Sequence, residues 1–296
     1  MEKSLKLSEW IITRLVKIAG YSAILFVAMI FYFLLSEGLP ALGETSAASL
    51  LGKRWYPIEG YFGLLPLISG SLVVTFGAAL IAMPIGLGTA IYIAEIAPRW
   101  AREVLKPLVE VLAGIPSVVL GFLGIQVLSP YLRVWFDLPT GLTAFSGSLL
   151  LAAISIPTIV TVAEDSLDAV PRSYRDASVA LGVTEWQTIW HVTLPAARSG
   201  VLTAVMLGIG RAIGETMAVM MVTGNAAVMP TSLGTLFSPV RTMTATIAAE
   251  MGEVAQGSTH YHALFGIGII LFTLTFAINL AAASTIFKRR RRGGLR

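Results

Sequence analysis

Apolar residues fall into six blocks along this chain, separated by polar stretches that carry nearly all of the charge. Each block is about the 20 residues that a helix needs to cross a hydrocarbon core. The pattern predicts membrane-spanning helices at roughly 18–36, 64–93, 104–128, 143–163, 199–222 and 263–286. The second is longer than a perpendicular crossing requires, so it tilts or opens as a loop near Gly63-Leu64-Leu65-Pro66. The first exceeds the roughly 7–15 apolar residues of a secretory signal, and no small-x-small site follows; it reads as an uncleaved anchor. Pro66, Pro84, Pro107, Pro116 and Pro157 interrupt or border these blocks. In lipid such breaks are tolerated where neighbours or a lined cavity satisfy the freed backbone groups.

Between the fourth and fifth blocks the pattern changes. Asp176 to Pro195, DASVALGVTEWQTIWHVTLP, reads as two short helices in a polar island. Ser173-x-x-Asp176 offers a cap for the first helix, with Arg175 and Asp176 on its exposed side. Gly182 ends it, since glycine accepts φ > 0 after a helix C-terminus. Thr184-x-x-Gln187 is a capping box for a second helix, Glu185 to Val192, with Pro195 shortly past its end. The result is a compact knob suited to docking on another protein; the plainer alternative is an amphipathic linker. The longest loop, 223–262, holds a possible interfacial helix from Thr242 to Glu253, with Glu250 and Glu253 neighbours on one face as candidate gate residues. His260 and His262 have no matching ligands nearby, so no metal site is expected.

Composition agrees with the pattern. The chain has 296 residues, 55% hydrophobic and only 13% charged, against about 25% charged in a soluble domain. It reads as an all-α, polytopic membrane protein with six transmembrane helices. With no cysteine there is neither a disulfide framework nor a thiolate metal site. The net charge of +4 is unevenly spread and gives no footprint for nucleic acid. Placing both termini in the cytoplasm puts sixteen of the 21 Lys and Arg inside and only Lys53, Arg54, Arg133 and Arg241 outside. That asymmetry sets the orientation and puts Asp176–Pro195 in the cytoplasm. Lys288 to Arg292 reads as a stop-transfer anchor. The expected organisation is a cytoplasmic segment 1–17, a transmembrane domain 18–287 with a cytoplasmic loop 164–198, and a basic tail 288–296. All six tryptophans fall outside the predicted spans, several near interfaces.

One charge remains. Arg211 lies near the middle of the fifth block, where an arginine costs about 2.5–3.5 kcal/mol on insertion scales. It must face protein or a wet cavity. On a continuous helix Glu215, at i+4, meets it on one face, Gly210-x-x-x-Gly214 admits a close neighbour, and Thr216 adds a hydroxyl. Two readings follow. In one, the pair only allows two charges to be buried together. In the other, Arg211, Glu215 and Thr216 line an anion path. A guanidinium fork matches a tetrahedral oxyanion. Hydrogenphosphate also has a P–OH donor for a carboxylate, which sulfate lacks at neutral pH, so the pair suits phosphate better.

Two resemblances bear on these residues. Asp176-Ala177-Ser178, three residues, Gly182, nine residues, Val192-Thr193-Leu194-Pro195 resembles the cytoplasmic coupling loop of bacterial ABC importer permeases, with Asp for Glu, Ser for Ala and Val for Ile. In that family the loop inserts into a groove of the ATPase, which would give Asp176, Ala177, Ser178, Gly182, Val192, Leu194 and Pro195 a coupling role. Residues 62–72, 113–121, 211–225 and 244–253 resemble PstC-type phosphate permeases over nearly the whole chain. That likeness implies a type I ABC importer permease fold in a bacterial inner membrane. It also implies alternating access and three kinds of partner: a sister PstA-type permease, a homodimeric PstB-type ATPase that binds ATP and Mg, and an extracytoplasmic PstS-type phosphate-binding protein. This chain would itself hold no cofactor and catalyse nothing. It lacks G-x-x-x-x-G-K-[ST], H-E-x-x-H and G-x-S-x-G. The alternatives are a permease for sulfate or molybdate, a passive anion channel, and a membrane-embedded enzyme.

Overall fold

A computed structural model describes the backbone from Glu2 to Gly293 and the side chains of residues 9–280, except 47, 48 and 233. The side chains of the basic run 288–296, and those of Lys3 and Lys6, lie outside the described residues. Six helical stretches among the described residues are long and apolar enough to cross a membrane: Glu9–Glu44, Leu65–Ile96, Ser117–Trp135, Ala144–Asp168, Glu185–Gly214 and Thr259–Leu280.

Helix α1 (Glu2–Gly38) is followed by the short α2 (Pro40–Glu44) and α3 (Ala47–Leu50) and a two-stranded hairpin, β1 (Trp55–Tyr56) paired antiparallel with β2 (Tyr61–Phe62). Gly60, at φ 79°, closes its turn in a conformation that favours glycine. Helix α4 (Leu65–Ile91) ends in a wide turn at Tyr92–Ile96, where the Ala97 amide reaches the Tyr92 carbonyl, five residues back. Helix α5 (Arg99–Gly114) precedes α6 (Ser117–Leu123), a second wide turn (Gly124–Leu128) and α7 (Ser129–Trp135). Helix α8 (Ala144–Asp168) leads to the knob, formed by α9 (Arg172–Ala180) and α10 (Glu185–Thr188). A third wide turn, Ile189–Thr193, joins the knob to α11 (Leu194–Gly214). Helices α12 (Met217–Val222), α13 (Met243–Glu250) and α14 (Thr259–Gly293) complete the chain.

The core sits around α8, whose apolar window is 61% buried, against 0% for the first span and 17% for the last. Val74, Ala78 and Ala82 of α4 meet Leu151, Ala152 and Ile159 of α8, with Ala212 and Val219 closing the cluster. Small residues set this geometry, as expected where lipid gives no hydrophobic drive and close backbone approach supplies the packing. Ser148 of α8 donates to the Val74 carbonyl at 3.2 Å as well as to its own Ala144 carbonyl. At Gly208 of α11, a Cβ would fall inside the space of Ile159. Helices α1 and α14 pair beside this core through the stacked rings of Phe31 and Phe272, 4.9 Å apart, and the edge contact of Phe33 and Phe265.

Four expectations need correction. The third span is 117–135 rather than 104–128. Ile115 is extended, as residues before proline tend to be, and Pro116 caps a new helix. The stretch 104–114 therefore belongs to α5, an amphipathic helix that also carries Arg99, Arg102, Glu103 and Lys106. Consequently Trp135 closes a span, and Trp10, Trp186 and Trp190 also lie within candidate spanning helices. The fifth block is not one helix from 199 to 222: it breaks at Glu215, which is extended at φ −69°, ψ 129°. The knob's second helix does not stop at Val192: it runs on through the wide turn Ile189–Thr193 into α11, so Pro195 lies inside the continuous helix and not after its end, directly behind the wide turn. Finally, Ser173-x-x-Asp176 caps nothing. Pro171 is the N-cap of α9 and no side chain bonds there, whereas the Thr184–Gln187 capping box forms as expected.

Gly208→Val should wedge the α8–α11 seam apart and lower stability by about 1–3 kcal/mol, the usual range for overpacking. Thermal unfolding in detergent should show it, with Gly210→Val, at a position open to space, as the control that changes little.

Candidate docking surface and intramembrane site

The knob is built by local hydrogen bonding. Gly182 turns the chain at φ 75°. The Ser178 hydroxyl, buried between the two short helices, lies 2.8 Å from that of Thr188 and bonds to the Arg175 carbonyl. Ser178 is thus a clamp inside the knob. Asp176, Ala177, Gly182 and Pro195 lie on the surface, and Val192 and Leu194 are half-buried. Arg175, expected on the exposed side, turns inward. It pairs with Glu95 at 2.5 Å and donates to the Val170 and Leu167 carbonyls. That set of contacts fastens α9 to the ends of α4 and α8.

A second anchor lies beside it. Glu164 of α8 is 1% exposed and accepts from Arg102 at 3.0 Å and Lys106 at 2.7 Å, both on α5. Arg102 also pairs with Asp168, and Lys106 lies 3.6 Å from Asp165. The hydrogen bond to Glu164 is the largest cause holding the Lys106 pKa above its ordinary range. The bond to Asp168, then that to Glu164, does the same for Arg102, and the bond to Glu95 does so for Arg175. A raised cation contributes stability below its unfolded pKa and loses it as pH rises through the folded one. The Lys106 contribution therefore lasts to above pH 10.5.

Inside the membrane, the expected Arg211–Glu215 pair is not formed. Helix α11 ends between them, so they no longer share a helical face. The Arg211 guanidinium emerges on an open face of the chain and donates from Nη1 to the Thr158 hydroxyl of α8 at 3.1 Å. One turn away along α8, the buried Ser155 hydroxyl has no partner. Glu215 instead accepts from the Ala218 amide at 3.3 Å, at the start of α12. The carbonyls freed by the break are satisfied by hydroxyls: Thr216 donates to Gly214 O at 3.3 Å, and Thr244 to Glu215 O at 3.0 Å. Neither Gly210 nor Gly214 meets another element, so the close helix approach expected there does not occur within this chain. Beyond the break, Val222 of α12 packs with Leu150 of α8, toward the end of α8 away from the knob. Span five is thus discontinuous, and Arg211 sits at the break.

At the end away from the knob, Glu250 and Glu253 are not face neighbours. Helix α13 ends at Glu250, and Glu253 is exposed in the following turn. Glu250 is fully engaged: it pairs with Arg241 at 2.7 Å and His260 at 2.8 Å, and accepts from the Trp55 indole at 3.2 Å. His262 bonds instead to the Glu37 carbonyl at 2.7 Å. Among the described residues no cluster is suited to a metal ion.

Residues 82–293 match the model of one family, the binding-protein-dependent transport system inner membrane component. The chain belongs to this family. It is similar to a probable ABC transporter permease of Bacillus subtilis, YqgH, at 41% identity over 79% of this chain and 75% of that one. It is also similar to the phosphate transport system permease protein PstC of Xylella fastidiosa (34%, 90% and 89% covered) and that of Pasteurella multocida (35%, 86% of each). Solved structures share the fold. The inward-facing MetNI methionine ABC transporter superposes with a TM-score of 0.60 at 20% identity, covering 79% of this chain and 99% of that one. A bacterial alginate ABC importer does so at 0.56 and 16%, covering 92% and 98%. The fold is that of type I ABC importer permeases.

Within this permease-family frame, sequence reading found the knob, its capping box and Arg211, but missed Glu95, Glu164, Ser155 and Thr158. Two of these had a signal. Glu95 and Glu164 are acids at the knob ends of apolar blocks, facing a run of Arg and Lys at 99–106 and 172–175. Ser155 and Thr158 had none, because hydroxyls are common in apolar helices.

Arg175→Ala should leave Glu95, 7% exposed at its side chain, without its cation. It should destabilise the fold by about 3 kcal/mol, the low end for breaking a buried pair. Asp176→Ala, on the open surface, should stay within about 0.5 kcal/mol. Thermal unfolding of the two variants side by side checks the contrast.

Proposed function

We propose that this chain is the membrane-spanning permease subunit of an ATP-driven importer that carries inorganic phosphate into the cell by alternating access. The observation that carries the substrate reading is the 34–36% identity, over 84–90% of the chain, to permeases named for phosphate transport. The geometry supports it. Arg211 is held by one neutral hydroxyl and no carboxylate, so its fork remains available to an oxyanion. It stands on a face that this chain leaves open, beside a break in a spanning helix, where irregular backbone belongs only if buried in protein or lining a cavity. A sister PstA-type permease closes that face. Arg211, Thr158 and Thr216 line the path on this side, and Glu215 supports the break.

The knob faces the cytoplasm and docks on a PstB-type ATPase dimer, which binds ATP and Mg. A PstS-type protein delivers phosphate to the other side. Closure of the ATPase pair pushes on Asp176–Pro195. Arg175 passes the push to α4 through Glu95, and the third wide turn passes it directly into α11. Opening of the path follows at the Gly214–Thr216 break. This chain carries no catalytic step.

In an otherwise intact importer, Arg211→Ala should cut labelled phosphate uptake by roughly 10- to 100-fold, the scale of lost charge-assisted hydrogen bonds, with assembly unchanged. Arg211→Lys should recover only part, since an ammonium lacks the fork. A large sulfate excess should not compete. Undiminished uptake by Arg211→Ala would remove the path assignment, and competition by sulfate would remove the substrate assignment.

Scrambling 176–182 should abolish co-purification of the ATPase while the permease stays folded. An unchanged yield of ATPase would refute docking at the knob.

A further inference from the structure

One groove of the chain lies apart from the intramembrane site and borders the knob, sharing Trp186, Trp190 and Leu194 with it. It has a volume of about 650 Å³, within the ~300–1,000 Å³ of ligand pockets. It runs between α4 and α11 at their knob ends. Met83, Leu87 and Ile91 form one wall; Trp186, Trp190 and Val205 contribute to the other. The two indoles meet edge-on at 5.7 Å and are 60% and 46% exposed. Arg198 stands at the same groove, exposed and without an ion pair among the described residues.

The position is informative. Arg198 lies four residues into α11 and thirteen residues before Arg211, about 20 Å along the helix axis. That separation puts Arg198 at the membrane–water boundary on the knob side if Arg211 is near mid-depth. Tryptophans favour that boundary because one end of the ring is apolar and the other is wet. An apolar trough, an indole pair and one guanidinium without an ion pair among the described residues offer an anionic phospholipid what its parts need: apolar walls for an acyl chain, amphipathic rings, and a cation for the phosphate. A neutral zwitterionic lipid would bring its own cation to Arg198 and gain less. Basic pockets between spanning helices on the cytoplasmic side select lipid headgroups on this basis.

We propose that this groove is a binding site for an anionic phospholipid. Its assignment to the cytoplasmic leaflet rests on the orientation given under the proposed function; the binding itself does not. The site has a consequence for coupling. Its walls include Ile96 of the wide turn after α4 and Trp190 of the wide turn before α11. Wide turns of this kind are tolerated irregularities that recur at functional sites. An acyl chain between the two turns holds fixed the spacing across which the knob drives α4 and α11. The lipid is therefore expected to tune how much ATP turnover becomes transport.

Gly88 provides a steric probe. It lines the groove, and a Cβ added there meets nothing within 4 Å, so Gly88→Phe fills the groove without disturbing the core. The assembled importer is placed in nanodiscs of phosphatidylcholine doped with either dibrominated phosphatidylglycerol or dibrominated phosphatidylcholine, and tryptophan quenching is recorded. Subtracting the signal of the Trp186→Phe/Trp190→Phe protein isolates the pair. Quenching by the anionic lipid should exceed that by phosphatidylcholine at equal mole fraction at least threefold. Arg198→Gln should remove the excess but leave the phosphatidylcholine signal, which also shows that this variant is folded. Gly88→Phe should reduce both. Equal quenching by the two lipids would overturn the anionic site. Absence of quenching by either would show that another polypeptide fills the groove, and would overturn it equally. Neither result depends on phosphate being the cargo, so loss of the substrate assignment would leave this test intact.

Discussion

A carboxylate that is almost fully buried must have cations beside it, and the knob end of this molecule is arranged around two such groups. Glu164 sits on α8 and Glu95 in the wide turn that ends α4; α4 and α8 are the two helices that form the centre of the bundle. Their cations come from outside the bundle: Arg102 and Lys106 from α5, and Arg175 from α9. Leaving either acid alone in a medium of low polarity would cost far more than the pairs return as net stability. The pairs therefore act as position constraints. Helices α5 and α9 cannot drift from α4 and α8 without stranding a charge. A force applied to the knob, as the proposed function requires, would be transmitted as a rigid displacement because the penalty for slipping is steep.

The opposite design holds at the Gly214–Thr216 break. There the freed carbonyls are met by two threonine hydroxyls rather than by ions. Neutral hydrogen bonds contribute roughly 0.5–1.5 kcal/mol each, enough to keep the backbone satisfied and too little to lock it. Stiff ionic joints at the knob and soft neutral joints at mid-membrane concentrate bending where Arg211 stands. The three wide turns lie between these extremes, each retaining its hydrogen bond over a longer loop.

The legible parts of the sequence were those set by short-range chemistry. The Thr184–Gln187 box and the turn at Gly182 need only neighbours a few residues away, and both formed as read. Span count needs only hydropathy and length. The errors arose where two signals overlapped. The window 104–128 was apolar enough on average to hide the break that Pro116 imposes. At Glu215, an i+4 spacing was read on a helix that had already ended, because nothing within 199–222 marks the break except glycine at 214. Arg175 was misplaced for a related reason: on an isolated α9 it faces outward, and only the return of α4 at Glu95 supplies its partner. Pairings across more than seventy residues, such as this one, cannot be read from spacing.

The open position of Arg211 bears on how selectivity is divided. In this chain its guanidinium has a single neutral partner, so on the proposed path this subunit alone would fall short of the several donors that a tightly held oxyanion takes. A path must also release what it accepts. A complete cage would bind the ion and hold it, whereas half a cage, completed only when an opposing face approaches, binds in one state and lets go in the other. A ligand can shift such an equilibrium only by its difference in affinity for the two states. The discontinuity beside Arg211 allows that difference to be created by motion instead of by titration. On the proposed path, fine discrimination between oxyanions would belong upstream of the membrane, and the permease would contribute a charge that moves in and out of register.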